Sequence, residues 1–538
     1  MTSGQALVKS LINHGVDTVF GLPGVQTYAL YDALHEYQDQ VRYIGSRHEQ
    51  GAAYMAFGYA KSTGRPGVYT VVPGPGVLNT SAALCSAYAA NAPVLCLTGQ
   101  VPSKGIGSGA GFLHELPDQL ATMKLLTKWA ARVDAPEQVP AVMDEAFRQM
   151  TTGRQRPVAI EVPWDVLLKK GNVHFPAANN CVASSSRIDS RAIDQAVALI
   201  REARQPMIMV GSGAIDSGAE VLELAQRIQA PVTAFRSGRG VVSDESNYAL
   251  TCAAAYRWWD KTDLLIGIGS RLELQYMRWP SRPAGLKLLR IDIDPAELAR
   301  LRPNVALEGD AKPLLAALNA ALARSGFNPR SREQDILTIK QQTEKDIQEV
   351  QPQLSYLRAI RDVLPRDGFF VEEISQVGFA SYFCFPVYEP RTFVTCGYQG
   401  TLGFGFPTAL GVKVGNPGKP VVSITGDGGF MFGVQELAAA VQHDINLVTV
   451  LFNNNAFGNV LRDQQTKFRG PLGSELRNPD FVKLAESFGA QGWRAHDPAE
   501  LRTLVERGFA QKGPVLIEVP VAQGSEFSPW KYLVPGGY

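Results

Sequence analysis

The sequence predicts an α/β protein built from three doubly wound parallel-sheet domains. Short β-branched runs alternate with helical patterns along the chain, which is the grammar of βαβ units. A polar, Ser-rich break, NNCVASSSRIDS at 179–190, and a charged stretch, NPRSREQDILTIKQQTEKDIQEV at 328–350, separate three blocks of similar size. The length of 538 residues suits about three to four domains. The blocks are an N-terminal one at 1–178, a central one at 188–330 and a third at 350–525, followed by a tail at 526–538. Their like texture suggests duplication of one architecture.

Taken in order, the opening MTSGQALVKSLINHG reads as a helix start. In the first block DTVFGLPG and GVYTVVPGPG read as strands entering turns, and PVLCLTGQ as a buried strand. The central block offers a helix, then strands at PMIMVGSG, PVTAF, DLLIGIGS and LKLLRIDID. The stretch at 328–350 reads as a charged helix crossing to the third block. That block has strands at GFFVEEIS, TFVTCGYQG, PVVSITGDGG, INLVTVLFNNN and PVLIEVP. The closing GSEFSPWKYLVPGGY has no regular period and reads as an ordered cover over something or as a frayed end.

Composition excludes several classes. Hydrophobic residues make up 45% and charged residues 19%, ordinary for an enzyme with large cores. Lys plus Arg is 52 against 51 for Asp plus Glu, so no net field draws the chain to nucleic acid or an anionic membrane. No run approaches the ~20 apolar residues of a membrane span, and the start lacks an apolar signal segment. Cys85, Cys96, Cys181, Cys252, Cys384 and Cys396 are scattered without a C-x-x-C pair, as expected of free thiols in the cytoplasm.

The third block contains the strongest chemical signal. PVVSIT reads as a strand, GVQELAAAVQHD as an amphipathic helix and INLVTVLF as the next strand. In a right-handed βαβ unit the loops after both strands emerge at the same sheet edge. Asp427 follows the first strand and Asn454 the second, 27 residues on, so two oxygen ligands meet at that edge. A carboxylate and an amide oxygen suit a hard cation such as Mg²⁺, which often keeps phosphate oxygens in its shell. Gly426, Gly428 and Gly429 let backbone N–H groups approach an anion at the helix start. A metal–diphosphate site follows.

Gly-Asp-Gly followed after 24 residues by Asn-Asn resembles the signature of thiamine-diphosphate enzymes. The likeness is to the acetohydroxyacid synthase and 2-oxo acid decarboxylase branch, and it spans almost the whole chain. It implies a pyrimidine-binding first domain, a central domain and a diphosphate-binding third domain. It further implies that Asp427, Asn454 and the Ala456 carbonyl bind Mg²⁺, with Phe457 and Gly458 beside the cofactor. Leu402, 25 residues before Asp427, stands where the family places the apolar wedge that folds the cofactor into a V. Gly400 would offer its carbonyl to the 4′-amino group, and Ser375 and Gln376 would contact the diphosphate.

By the same resemblance Glu49, in SRHEQGAAYMAFGYA, is the carboxyl that shifts the aminopyrimidine toward the form that takes the C2 proton. A partly buried glutamate suits that role because burial raises a carboxyl pKa. The family's assembly brings this residue to the cofactor of a neighbouring chain, which implies at least a homodimer with active sites between chains, and a homotetramer in full. Gly24, Val25 and Gln26 fall on the substrate-facing loop, Gln26 where benzaldehyde lyases carry a His. His114 falls where relatives place a catalytic or orienting Gln, and an imidazole there can relay protons near neutral pH. His48 neighbours Glu49 and can tune it. Asn79, in PGPGVLN, can cap the following helix or line the pocket, and capping is the expected role.

The chain also departs from the synthase pattern. Flavin-binding synthases carry Met-Leu-Gly-Met-His-Gly and Arg-Phe-Asp-Asp-Arg runs, where this chain has YALTCAAAY and GSRLELQYM, keeping only Arg271. Asp463 replaces the Trp that selects their second 2-oxo acid. These differences argue against bound FAD and against acetolactate synthesis. GSGAIDSG at 211–218 is not a dinucleotide fingerprint, and IDIDPAEL at 291–298 offers acids that can meet a ribose, together suggesting a vestigial nucleotide cleft. The expected function is a thiamine-diphosphate- and Mg²⁺-dependent lyase or carboligase acting on a 2-oxo acid or 2-hydroxy ketone through ylide and enamine intermediates. Alternatives are acetolactate synthase proper, an acyl-CoA lyase, a flavin oxidase and, from another class, a catalytically silent scaffold subunit. No nucleic-acid or membrane partner is expected.

Overall fold

A computed structural model describes residues 1–175 and 188–537. Part of the expected Ser-rich linker, with Cys181, lies outside the described residues. Three six-stranded sheets, parallel throughout, are stacked along the chain. The first contains β1 (Thr18–Gly21), β2 (Arg42–Gly45), β3 (Gly67–Val71), β4 (Val94–Gln100), β5 (Trp129–Arg132) and β6 (Val158–Pro163). The second contains β7 (Pro206–Val210), β8 (Val232–Ala234), β9 (Ala249–Leu250), β10 (Leu264–Ile268), β11 (Lys287–Asp292) and β12 (Val305–Glu308). The third contains β13 (Phe369–Val371), β14 (Phe393–Val394), β15 (Val421–Gly426), β16 (Val448–Asn453), β17 (Gln491–Arg494) and β18 (Val515–Pro520). Strands buried on both faces, such as β4 and β16, are continuous apolar runs because helices cover each side.

The outer two sheets share one strand order, β2-β1-β3-β4-β6-β5 and β14-β13-β15-β16-β18-β17. The central sheet is β12-β11-β10-β7-β8-β9, the order of dinucleotide-binding α/β folds. One architecture repeated three times is therefore corrected to one repeated twice around a differently wound centre. At the central switch point the loops after β7 and β10 bond to each other, Gly211 N to Ile268 O at 3.0 Å and Gly213 N to Gly269 O at 3.1 Å. The acids after β11 are also engaged: Asp294 caps the next helix and pairs with Arg154 of the first domain at 3.1 Å.

Of the contacts that join the first and third domains, two bear on the site. Helix Glu49–Thr63 crosses helix Gly405–Gly415 backbone to backbone, and a Cβ at Gly58 or Gly411 would lie 2.0 Å or 1.9 Å from a carbonyl oxygen of the other helix. The second contact is a grip on the turn after β2 by helix Glu436–Gln442 and its C-cap. The Glu436 carboxylate accepts from Arg47 N at 3.1 Å and His48 N at 2.9 Å, and Gln442 Oε1 accepts from the Arg47 guanidinium at 2.6 Å. His443 Nε2 accepts from Gly45 N at 2.9 Å, which requires a neutral ring. The charged helix forms over Glu333–Asp346, and the tail is ordered, with a turn of helix at Trp530–Leu533.

Burial pushes the His443 pKa below its ordinary value. The neutral ring is therefore favoured in the fold, and its contribution to stability is complete above the ordinary pKa and lost as pH falls through that value toward the depressed one. His443→Gln, which keeps an acceptor but cannot titrate, should lose less stability than the parent between about pH 7 and about pH 5. Urea midpoints across that range check this, and parallel losses in both proteins would refute it.

Candidate active site

Open α/β sheets hold ligands outside the carboxyl ends of their strands, at the switch in strand order. In the third sheet that switch falls between β13 and β15, and a cleft of about 260 Å³ opens there. Ser375 and Gln376 enter it after β13, and Gly400 and Leu402 from the loop after β14. Gly426, Asp427, Gly428 and Gly429 follow β15, and Asn454, Ala456, Phe457 and Gly458 follow β16. Every site residue expected of the third block thus lines one cavity. Helices Gln376–Cys384, Asp427–Phe430 and Gly458–Lys467 all begin at cleft residues, so their N-terminal ends make its wall favourable to an anion.

Asp427 is 2% exposed, and among the described residues no Lys or Arg forms a salt bridge with it. Its Oδ2 accepts from Asn478 Nδ2 at 2.7 Å, and burial pushes its carboxyl up. The same Asn478 amide reaches Asn453 Oδ1 at 3.0 Å and Asn455 Oδ1 at 3.2 Å, tying the two strand-end loops together. Asn454 Oδ1 accepts from Ala456 N at 3.1 Å, while its Nδ2 donates to Glu526 Oε2 at 2.9 Å. Gly458 leaves room for this amide, since a Cβ there would sit 2.7 Å from Asn454 Nδ2. Gln376 Oε1 is buried, with no hydrogen-bond partner among the described residues. No metal-holding group of three His, Cys, Asp or Glu side chains occurs among the described residues. The donor set here is instead one carboxylate, one amide and backbone oxygen. A buried carboxylate without a counter-charge, beside oxygen donors and helix N-termini, fits a hard divalent cation carrying a diphosphate.

A buried glutamate supports the loop after β14. Glu373 accepts from Gly403 N at 3.1 Å and Gly405 N at 2.7 Å, and so braces the segment that presents Gly400 and Leu402. Burial raises its carboxyl to about 8.

The first-domain residues gather elsewhere, at the carboxyl edge of the first sheet, and none of them lines the cleft. Glu49 begins its helix half-buried, and Asn79 Nδ2 donates to its Oε2 at 3.0 Å. The capping expected of Asn79 is corrected: it ends helix Pro75–Asn79 and holds Glu49. His48 is itself a cap, its Nδ1 accepting from Gln50 N at 3.2 Å. Gln26 is buried, donating to Leu113 O at 2.9 Å and lying 3.1 Å from His114 Nδ1 through its Oε1, so these two expected residues form one unit. Gly24 lies against Val72 after β3, whereas Val25 is exposed. Asp463 pairs with Lys467 at 3.2 Å, and Arg271 stacks over Tyr398 at 4.8 Å. Sequence reasoning missed Glu526, Asn478, Glu373 and the buried Gln119, which bonds Gly74 N and Glu161 beneath the first-domain edge.

Fold and cleft together define the class: an α/β protein whose cleft, at the edge of a doubly wound sheet, fits a diphosphate cofactor. Comparison with known proteins makes this particular. The chain belongs to the thiamine pyrophosphate enzyme family, in the acetolactate synthase-like and 2-oxo acid decarboxylase branch, and is a thiamine-diphosphate-dependent enzyme. The family's N-terminal TPP binding domain matches residues 1–122, its central domain 193–318 and its C-terminal TPP binding domain 373–519. A probable 2-ketoarginine decarboxylase of Pseudomonas aeruginosa is 34% identical over 96% of this chain and 94% of its own length. A probable acetolactate synthase large subunit of Methanocaldococcus jannaschii is 34% identical over 100% and 94%. The acetolactate synthase large subunit of Haemophilus influenzae is 30% identical over 98% and 96%.

Because Asn478 orients Asp427 and both asparagine loops, Asn478→Ala should weaken cation-dependent cofactor binding by roughly 10- to 100-fold while leaving the fold intact. Calorimetric titration with thiamine diphosphate at fixed Mg²⁺ measures this, and unchanged affinity would refute it.

Proposed function

We propose that each active site is made by two copies of this chain, and that it breaks or forms a C–C bond next to the carbonyl of a 2-oxo acid or 2-hydroxy ketone. The observation that carries the reading is Asp427, a buried carboxylate with no cationic partner among the described residues, in a cleft faced by helix N-termini. Mg²⁺ would be held by Asp427, Asn454 and the Ala456 carbonyl, with the diphosphate against the glycines after β15 and the Ser375–Gln376 helix start. Bound there, thiamine diphosphate would supply a carbon nucleophile and an electron sink. Leu402, on the loop braced by Glu373, holds the cofactor's shape. Glu49, oriented by Asn79, holds and moves a proton at its carboxyl. The Gln26–His114 unit orients the substrate carbonyl.

The division between chains is supported by the sorting of residues: all that line the cleft lie between Ile374 and Glu526, whereas Glu49, Gln26 and His114 occupy the first sheet's edge. Both edges carry exposed apolar side chains, Val25 and Leu113 on one and Met431 and Phe432 on the other, as expected of surfaces a second copy covers. Two such dimers would give the homotetramer. A cytoplasmic placement is supported by free Cys85, Cys96, Cys252, Cys384 and Cys396, and no helix among the described residues is long and apolar enough to cross a membrane.

Asp463 in place of a Trp favours decarboxylation or ligation other than acetolactate formation. A panel of aliphatic, aromatic and guanidinium-bearing 2-oxo acids, read for both CO₂ and ligated products, separates these outcomes. Asp427→Ala should abolish Mg²⁺-dependent thiamine diphosphate binding. Glu49→Gln should spare binding but slow C2 proton exchange, followed by NMR, by roughly 100-fold or more. Unchanged cofactor affinity in the first, or unchanged exchange in the second, would overturn the assignment.

A further inference from the structure

We propose that Glu526, in the C-terminal tail, is a positioning residue that dictates which end of the Asn454 amide faces the cation, so that docking of the tail controls cation capture. The inference rests on the proposed placement of the cation at Asp427 and Asn454. A hard cation takes only the oxygen of an amide, yet the two ends of an Asn side chain have nearly the same shape. Local bonding must therefore choose between them.

Two contacts make the choice. Asn454 Nδ2 donates to Glu526 Oε2 at 2.9 Å, and Asn454 Oδ1 accepts from Ala456 N at 3.1 Å. Rotating the amide by half a turn would set Oδ1 against the Glu526 carboxylate, acceptor to acceptor, and Nδ2 against the Ala456 N–H, donor to donor. The flipped form loses both hydrogen bonds and gains a repulsion at each end. Of the two partners only Glu526 is supplied by the tail, and it also brings a second negative charge to the cleft beside Asp427.

The tail is secured at several points. The Glu526 carbonyl accepts from Arg462 Nη2 at 3.0 Å, and the Phe527 carbonyl from Gln353 Nε2 at 2.6 Å. Trp530 Nε1 donates to Asn459 Oδ1 at 2.6 Å, and its ring lies 4.7 Å from that of Phe379. Asn459 and Phe379 themselves line the cleft. The segment with no regular period thus reaches the cofactor wall at both Glu526 and Trp530.

The test is a double-mutant cycle on the full chain, with Mg²⁺ affinity measured by titration in the presence of saturating thiamine diphosphate. Glu526→Ala should weaken Mg²⁺ binding by roughly 10- to 100-fold, and Glu526→Gln, which retains an acceptor without the charge, by about 3- to 10-fold. In an Asn454→Asp background both ends of the residue at 454 are oxygens, so no orientation needs choosing. Glu526→Ala should there cost nothing or bind Mg²⁺ more tightly through relief of carboxylate repulsion. An equal loss in both backgrounds would show a merely structural tail and overturn the proposal. A parent chain that binds thiamine diphosphate with no dependence on Mg²⁺ would overturn the cation site itself. Parent-like affinity in Glu526→Ala, with strong Mg²⁺ dependence retained, would sink only the role of Glu526.

Discussion

The burial of Asp427, with no positive side chain paired to it among the described residues, is the constraint around which the third domain is arranged. A carboxylate removed from water is costly unless something compensates for it. Here the compensation comes from neutral groups: the Asn478 amide, the Ala456 N–H and the N-terminus of the helix that Asp427 itself begins. Each is weaker than a full charge, and burial still pushes the carboxyl upward. The arrangement makes physical sense as one half of an ion-binding contact. The register of β15 beside β16, Gly426 opposite Phe452, brings the Asn454 loop to the same edge and supplies the second oxygen.

The rest of the domain converges on that edge. Glu373 braces the loop that presents Leu402, and the tail sends Glu526 to Asn454. The helix after the Asp427 loop continues the connection, since Glu436 and His443 grip the turn leading into Glu49. In the proposed dimer, about one helix would therefore separate the residues offered to a chain's own cofactor from the acid offered to its neighbour's. Each chain would then link two active sites, and the glycine crossing at Gly58 and Gly411 holds the two domains at a fixed distance.

Much of this was legible because it depends on period and spacing. A strand, a helix and a strand of ordinary lengths leave little freedom in where the two loops emerge, so Asp427, Asn454 and their glycines could be brought together on paper. Aperiodic segments offered no such signal. Glu526 sits in a tail without a repeat, and Asn478 in a loop whose partners are set only by tertiary packing. Glu373 looks like part of an ordinary strand until the backbone N–H groups of Gly403 and Gly405 are seen to fold back over it. Asn79 reads as a cap because a helix follows it, yet Thr80 takes the boundary and frees the amide for Glu49. Half-exposed edge strands such as β17 carry too few apolar residues to stand out, and strand order, which separates the central sheet from its neighbours, leaves no trace in local pattern.

Subunit complementation tests most directly whether the chemistry is divided between chains. Glu49→Gln and Asp427→Ala chains, each inactive alone, are co-expressed and assayed as mixed assemblies. If each site takes Glu49 from one copy and Asp427 from another, mixed dimers contain one intact site, and activity should return to about a quarter of the parent level. No recovery from verified mixed dimers would mean that one chain builds its whole site, and would contradict the account.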